Sequence, residues 1–460
     1  MEYLQRIDGY KEELIASLQG CIRIPSVRGE TEEGAPYGAN LKRCLNYVLE
    51  LAERMGFSVH NMDGQLGWCE WGDGEEMVAV LSHLDVVPEG EGWTVPPYEG
   101  RILNGRIYGR GTMDDKGPAM ASLYALYALK ESRVTLKRRI RLLFGLNEET
   151  GSADMKYYLA HGGELPVMGI TPDGEYPVIN GEKGLVTQAF ARNLEQTGKI
   201  RMLEIQGGTA HNIVPDEASV RLACSRERTE QIMAMQAENI LCTPTPEGVR
   251  ICAVGTSAHG GTPWEGENAI GRLLLFLDRL PLEGDLRQTF HMLAQRFGME
   301  WNGQSLGIAL RDAESGELTM NLGVIRGDEH QLEVKMSYRY PVTCTFEQCG
   351  PAVEEVFREA GFRQTCLLHK EAIYMNPDSL LVQTLLRVYG EYTGQPTIPK
   401  CIGGGTYAKM MPNTLAFGPV FPGDEVREHK PDEFMELIRL LDNAKLLARA
   451  MEELANSEDI

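Results

Sequence analysis

Met77-Val78-Ala79-Val80-Leu81-Ser82-His83-Leu84-Asp85 carries an apolar run straight into a histidine and a carboxylate. The run Met77 to Leu81 reads as a strand, and so do Ile140 to Leu146 and Val167 to Ile170. Each is followed by a segment bearing acidic residues. Helix-like segments alternate with these runs over residues 1–180, which predicts an α/β layer on a mixed, largely parallel sheet flanked by helices. Ligand sites in open α/β sheets lie beyond the carboxyl ends of the strands. The residues just after the three runs are therefore expected to converge on one crevice.

Beyond Gly181 the texture changes. Longer alternating stretches, Leu185 to Ala191, Ser219 to Ala223 and Gln331 to Tyr340, are interrupted by helix-like segments such as Ala269 to Leu280. Helical patterns return at Ser379 to Tyr389 and from Asp432 to Leu454, where Asp432 is expected to cap the last helix. The organisation predicted is a domain of residues 1–180 and 380–460, with an α+β domain of residues 181–379 inserted into it. Leu4, Ile7, Leu14, Ile15 and Leu18 keep a helical period with acids between them, so the N-terminus reads as an amphipathic helix and not as a signal peptide.

With 43% apolar and 24% charged residues over 460 positions, the chain has the composition of a globular protein with more than one core. Its net charge of −21, with no basic run longer than Lys137-Arg138-Arg139, argues against nucleic acid as a partner. No apolar run is long enough to span a membrane. Ten cysteines scattered from Cys21 to Cys401 without Cys-x-x-Cys spacing suit reduced thiols in a cytoplasm.

Five strings carry candidate chemistry. In Ser82-His83-Leu84-Asp85, period-two alternation sends His83 and Asp85 to one face, where the imidazole can bind a metal while the carboxylate orients it. Tyr108-Gly109-Arg110-Gly111-Thr112-Met113-Asp114-Asp115-Lys116-Gly117-Pro118 runs into a helix, with glycines that permit an unusual backbone around the acids. In Asn147-Glu148-Glu149-Thr150-Gly151-Ser152, adjacent side chains diverge, so one Glu can bind metal while its neighbour faces substrate and water. Thr171-Pro172-Asp173-Gly174 follows a strand, and His429 stands in Glu428-His429-Lys430-Pro431-Asp432. Each string alone reads as a turn or a cap. Together they supply histidines and carboxylates suited to a pair of divalent ions sharing one carboxylate.

These strings resemble the family of metallopeptidases that contains carboxypeptidase G, aminoacylase and succinyl-diaminopimelate desuccinylase. His83-Leu84-Asp85-Val86-Val87-Pro88, Asp114-Asp115-Lys116-Gly117-Pro118 and the Thr-Pro-Asp segment are most similar to the peptidase V and carnosinase dipeptidases. The resemblance implies that His83 and Asp173 bind one metal ion, that Glu149 and His429 bind another, and that Asp114 bridges them. It further implies that Asp85 orients His83, that Glu148 is the general base acting on a water held between the metals, and that the Asp114-Asp115 peptide is cis. Zinc is the expected metal, with manganese and cobalt chemically suitable.

In the inserted domain, Gly255-Thr256-Ser257-Ala258-His259-Gly260-Gly261-Thr262-Pro263 resembles the family's lid motif and makes His259 a candidate oxyanion donor. Arg339, in Ser337-Tyr338-Arg339-Tyr340-Pro341, is expected to clamp a substrate carboxylate. Asn212 and Thr406, the latter in Gly403-Gly404-Gly405-Thr406, are further candidates for substrate contact. The other histidines match no motif. The implied activity is hydrolysis of a dipeptide, with removal of an acyl group or a C-terminal residue as the alternative within the same chemistry. A non-catalytic metal-dependent binding protein is the alternative of another class, and it gives no reason for Glu148 and Asp85. In dimeric relatives the lid is shorter and donates a histidine across the dimer. An insertion of about 200 residues is about twice that size, judged against ordinary domain lengths, so His259 is expected in cis, in a monomer with a closed pocket for short substrates.

Overall fold

The computed structural model describes residues 1–235 and 237–458. The chain forms two compact units. The first comprises Met1–Asn180, Met375–Lys400 and the residues from Gly405 onward; the second comprises Gly181–Tyr374 with Cys401–Gly404. The second unit thus ends at Tyr374 rather than 379 and takes in a short return of chain before Thr406.

In the first unit, β1 (Ser58–Met62), β2 (Leu66–Trp71), β3 (Met77–His83), β4 (Arg139–Gly145), β5 (Met168–Thr171) and β6 (Thr414–Ala416) lie side by side in the order β1-β2-β4-β3-β5-β6. The four strands from β4 to β6 are mutually parallel, and the β1-β2 hairpin continues the sheet antiparallel. Every residue of β3 is buried, as expected of a parallel strand covered on both faces. Val78 and Val80 pack into one apolar cluster with helices α1 (Lys116–Glu131) and α2 (Leu437–Asn456), while Met77, Ala79 and Leu81 pack into a second with Met155, Tyr158 and Tyr407. The pleat accounts for that division, because successive side chains point to opposite faces. Helix α1 is apolar nearly all round, which fits an element enclosed between neighbours rather than a surface helix.

Three expectations about elements change. The N-terminal segment is not one helix but two, Glu2–Gly9 and Lys11–Ile22, interrupted after Gly9, a poor helix former. The last helix begins at Leu437, after a strand Phe434–Glu436, and Asp432 does not cap it. The Asp432 carboxylate instead accepts from the Thr94 backbone N–H and hydroxyl at 2.8 and 2.9 Å. Strand β3 ends at His83, so Asp85 lies beyond the region where strand alternation sets side-chain direction.

The second unit is built on an 8-stranded sheet ordered Ile240–Pro244, Gly248–Val254, Glu217–Ala223, Arg201–Gly207, Thr319–Asp328, Gln331–Tyr340, Gly184–Asn193, Arg363–Lys370. Neighbouring strands are antiparallel throughout. Helices Ala269–Leu277, Gly284–Arg296 and Gly350–Glu359 place Leu273, Phe290 and Phe357 in one cluster with Val220, Ile325 and Val334. This is an α+β unit with a core of its own. Among the described residues no helix is long and apolar enough to cross a membrane, and all ten cysteines are free thiols.

Candidate metal centre

The parallel strands β4, β3 and β5 are neighbours, so the segments leaving their carboxyl ends are brought together in the first unit. His83 closes β3, Glu149 follows β4, and Asp173 follows β5. Asp114 comes from the turn before α1, and His429 from the segment before Phe434–Glu436. Two groups of potential ligands result, His83, Asp114 and Asp173 in one and Asp114, Glu149 and His429 in the other. Asp114 is common to both. Its Oδ1 is 2.9 Å from His83 Nε2 and its Oδ2 is 2.8 Å from His429 Nε2. Asp173 Oδ2 stands 3.6 Å from His83 Nε2, and Glu149 Oε1 stands 3.1 Å from His429 Nε2.

The turn that carries Asp114 is shaped by its glycine and its neighbours. Gly111 has φ +89, a left-handed conformation that a side chain disfavours, and a Cβ there would lie 2.9 Å from Val86. The Asp114-Asp115 peptide bond is cis, as the family resemblance implies. Asp115 is buried and accepts the His83 backbone N–H at 3.0 Å. The buried Lys116 ammonium donates to the carbonyls of Cys21 and Ile24 at 3.1 and 2.7 Å.

Asp85 makes more contacts than the sequence suggested. His83 Nδ1 is 2.9 Å from the Asp85 carbonyl oxygen and 3.4 Å from its carboxylate. The carboxylate also accepts the backbone N–H groups of Glu148 and Glu149 at 3.1 and 3.0 Å. It therefore ties the histidine to the acidic turn. Sequence reasoning missed Asp154 and Tyr407. Asp154 Oδ2 accepts the Leu146 and Asn147 N–H groups at 2.6 and 2.9 Å and the Tyr407 hydroxyl, fixing the start of the same turn. Asp154 stands just past the quoted Asn147–Ser152 string and Tyr407 next to Thr406, but neither belongs to a motif that could have singled it out.

His83 Nε2 tests whether a cation belongs here. The nitrogen is buried and makes no hydrogen bond, although carboxylate oxygens of Asp114 and Asp173 stand 2.9 and 3.6 Å from it. A buried ring nitrogen set among carboxylates without a hydrogen bond fits a metal ligand once its proton is displaced, and the mixed His and carboxylate donors suit divalent first-row ions. Electrostatics agree. Burial opposes charge on His83, yet Asp114, Asp173 and Asp85 raise it well above the usual imidazole range. Burial likewise opposes charge on His429, but Asp114 and Glu149 lift it to about 11. Burial works to raise Asp114, and the two histidines nevertheless hold it well below the usual carboxylate range. Burial and then the Asp114 charge push Asp173 up to about 7 and Glu149 upward. So much negative charge held in one place calls for positive charge, which divalent ions provide.

The remaining predicted residues fall into two places. Thr406, in the first unit, caps the short helical turn Tyr407–Lys409, its hydroxyl accepting the Ala408 N–H at 3.1 Å. In the second unit, Arg339 is buried on the strand Gln331–Tyr340, and its Nη2 is 3.2 Å from His259 Nε2. Burial pulls the Arg339 guanidinium down to about 10, which leaves it charged at neutral pH. A Cβ on Gly261 would lie 1.7 Å from Arg339 Nη1, so glycine there makes room for the guanidinium. Asn212 belongs to a segment that pairs with the one carrying His259. Its carbonyl accepts the Gly260 N–H at 2.7 Å, and Ile213 bridges His259. Asn321 and Ser337 hold that segment through the His211 carbonyl at 2.9 and 2.8 Å.

An α/β unit that gathers histidines and carboxylates beyond the ends of parallel strands, in one chain with an antiparallel α+β unit, supplies the donor set that a metal-dependent hydrolase needs. The chain belongs to Peptidase family M20/M25/M40, whose sequence profile matches residues 79–453, and it is a metallopeptidase. It is 35% identical over 460 residues to a Bacillus subtilis (strain 168) protein named "Putative dipeptidase YtjP", covering 97% of this chain and 98% of that one. Among solved structures it is similar in fold to aminoacylhistidine dipeptidase from Vibrio alginolyticus, with a TM-score of 0.62, 16% identity and 97% of each chain covered. It is also similar in fold to the dipeptidase Dug1p from Saccharomyces cerevisiae, with a TM-score of 0.61, 14% identity and coverage of 100% of this chain and 99% of that one.

Proposed function

We propose that this protein is a dipeptidase that hydrolyses the amide bond of short unblocked peptides with the help of two divalent metal ions, zinc being the first candidate. The observation that carries the reading is the pair of ligand groups sharing Asp114. His83 and Asp173 would hold one ion, Glu149 and His429 the other, with Asp114 between them. Such ions, when bound, polarise a carbonyl and lower the pKa of water. The protein's own groups do the rest. Glu148, next to the ligand Glu149 and held through its backbone N–H by Asp85, takes a proton from the attacking water and delivers it to the leaving amine. Asp85 fixes the His83 ring and the acidic turn together, so ligand and base are set by one carboxylate.

Arg339 is the group proposed to bind the free carboxylate of a dipeptide, with His259 as oxyanion donor and Asn212 and Thr406 as lesser contacts. The names carried by relatives support the dipeptide as substrate class. The charge of −21 opposes nucleic acid as a partner, and two members of the longest basic run already pair with acids, Arg138 with Glu76 at 2.7 Å and Arg139 with Glu70 at 3.3 Å. Free cysteines support a reducing, cytoplasmic setting, and the size of the second unit supports a monomer.

Glu148→Gln separates catalysis from metal binding. The variant is expected to retain the wild-type metal content while kcat falls by a factor of about 10² to 10⁴, the usual contribution of a general base. Loss of metal in step with activity would make Glu148 a ligand and refute its role as base.

A further inference from the structure

Arg110 and Glu433 form a buried ion pair that the chemistry above does not use. Their exposures are 1% and 0%, and Arg110 Nη1 is 2.7 Å from Glu433 Oε2. The second carboxylate oxygen, Glu433 Oε1, accepts the backbone N–H groups of Gly111, Met113 and Asp114 at 3.1, 2.8 and 3.3 Å. In the other direction, Arg110 Nη1 donates to the Lys430 carbonyl at 3.4 Å, and the Gly109 N–H donates to the Glu433 carbonyl at 2.9 Å. Arg110 thus sits in the segment of Asp114 and grips the backbone beside His429. Glu433 sits in the segment of His429 and grips the backbone of Asp114.

The His429 segment needs such a hold. His429 and Asp432 have φ of +60 and +54, left-handed conformations unfavourable for residues with a Cβ. A turn with such residues keeps its shape through outside contacts. A buried ion pair gains little net stability over apolar packing of the same volume, so what this pair supplies is position.

We infer that Arg110 and Glu433 are positioning residues that set the spacing between Asp114 and His429, and that they tune one cation site more than the other. The inference rests on the two-ion reading above. His83 and Asp173 are placed independently, His83 by β3 and by Asp115, and Asp173 by the end of β5. Asp114 belongs to both sites but His429 to one, so loosening the pair should weaken the site of Glu149 and His429 more than that of His83 and Asp173.

Zinc titration in competition with a chromophoric chelator tests this on the full chain, reading both dissociation constants. The variants are Glu433→Gln and the double variant Arg110→Met/Glu433→Gln, which leaves no buried charge unpaired should the single variant fail to fold. Leu447→Ala, a core truncation in α2 within an apolar cluster that contains none of the candidate ligands, reports the effect of lost stability alone. The expected result is one zinc constant weakened about tenfold or more, the size typical of losing a ligand's supporting partner, with the other within about threefold. Leu447→Ala should lower the melting temperature and move neither constant. Wild-type constants in the folded Glu433 variants, equal weakening of both, or the same loss in Leu447→Ala would overturn the positioning role. A wild-type protein that takes fewer than two zinc ions would instead overturn the two-ion reading on which it stands.

Discussion

Asp114 faces both histidines, and each of its carboxylate oxygens is within 3 Å of one imidazole nitrogen, at 2.9 and 2.8 Å. Removing it should cost more than removing a ligand of one site. Asp114→Ala is expected to abolish stable binding of both ions, whereas His429→Ala should leave one bound, as metal analysis after gel filtration would report. A variant Asp114→Ala with one tightly held ion would show that the sites do not share this carboxylate. Arg339 invites a test of another kind. Gly261→Ala would place a Cβ 1.7 Å from the present position of Nη1 and displace the guanidinium. KM for a dipeptide with a free carboxylate should rise about tenfold while kcat stays within about twofold, the pattern of lost uniform binding. Unchanged KM would remove Arg339 from substrate recognition. The residues of the two candidate groups could be picked out from sequence because each follows an apolar run or stands in a motif. Asp154, Tyr407 and Glu433 could not, since Asp154 and Glu433 work by accepting backbone N–H groups and Tyr407 by donating to Asp154, and single-sequence spacing carries no trace of such bonds.

At the level of elements, the parallel strands were legible because β3, β4 and β5 are nearly continuous apolar runs, and so was the antiparallel texture of Gln331–Tyr340. Element ends were not. The pattern around Asp432 looks like a helix start, but tertiary contacts with Thr94 took the capping carboxylate and a short strand preceded the helix. Likewise the apolar period of the first residues spans a break at Gly9 that periodicity alone does not register. The turn after β4 gives a prediction at this scale. Tyr407→Phe removes a donor to Asp154, the carboxylate that fixes Leu146 and Asn147. Stability should fall by about 1–3 kcal/mol, the cost of an unmet buried hydrogen bond, and kcat should fall with it because the turn carries Glu148. A melting curve and kcat both unchanged would show that the turn is fixed without Tyr407.

For the whole molecule, metal binding and protonation are linked. Without ions, His83 and His429 are held charged by their carboxylates, His429 up to about 11, and Asp173 is raised to about 7. An imidazole must be neutral and a carboxylate ionised to bind a metal, so ions displace protons and affinity rises with pH. Calorimetry at pH about 6.5 in buffers of different ionisation enthalpy should therefore show roughly two or more protons released as both sites fill, fewer as the pH approaches about 9. Proton uptake on zinc binding would contradict the ligand assignment. The central claim, a metal-dependent dipeptidase, is tested most directly by stripping the protein with a chelator, restoring zinc or manganese, and offering a matched dipeptide, tripeptide and N-acetyl amino acid. The account predicts that the dipeptide alone is cleaved, and only with metal restored; preference for the acetylated substrate, or silence on all three with metal bound, would contradict it.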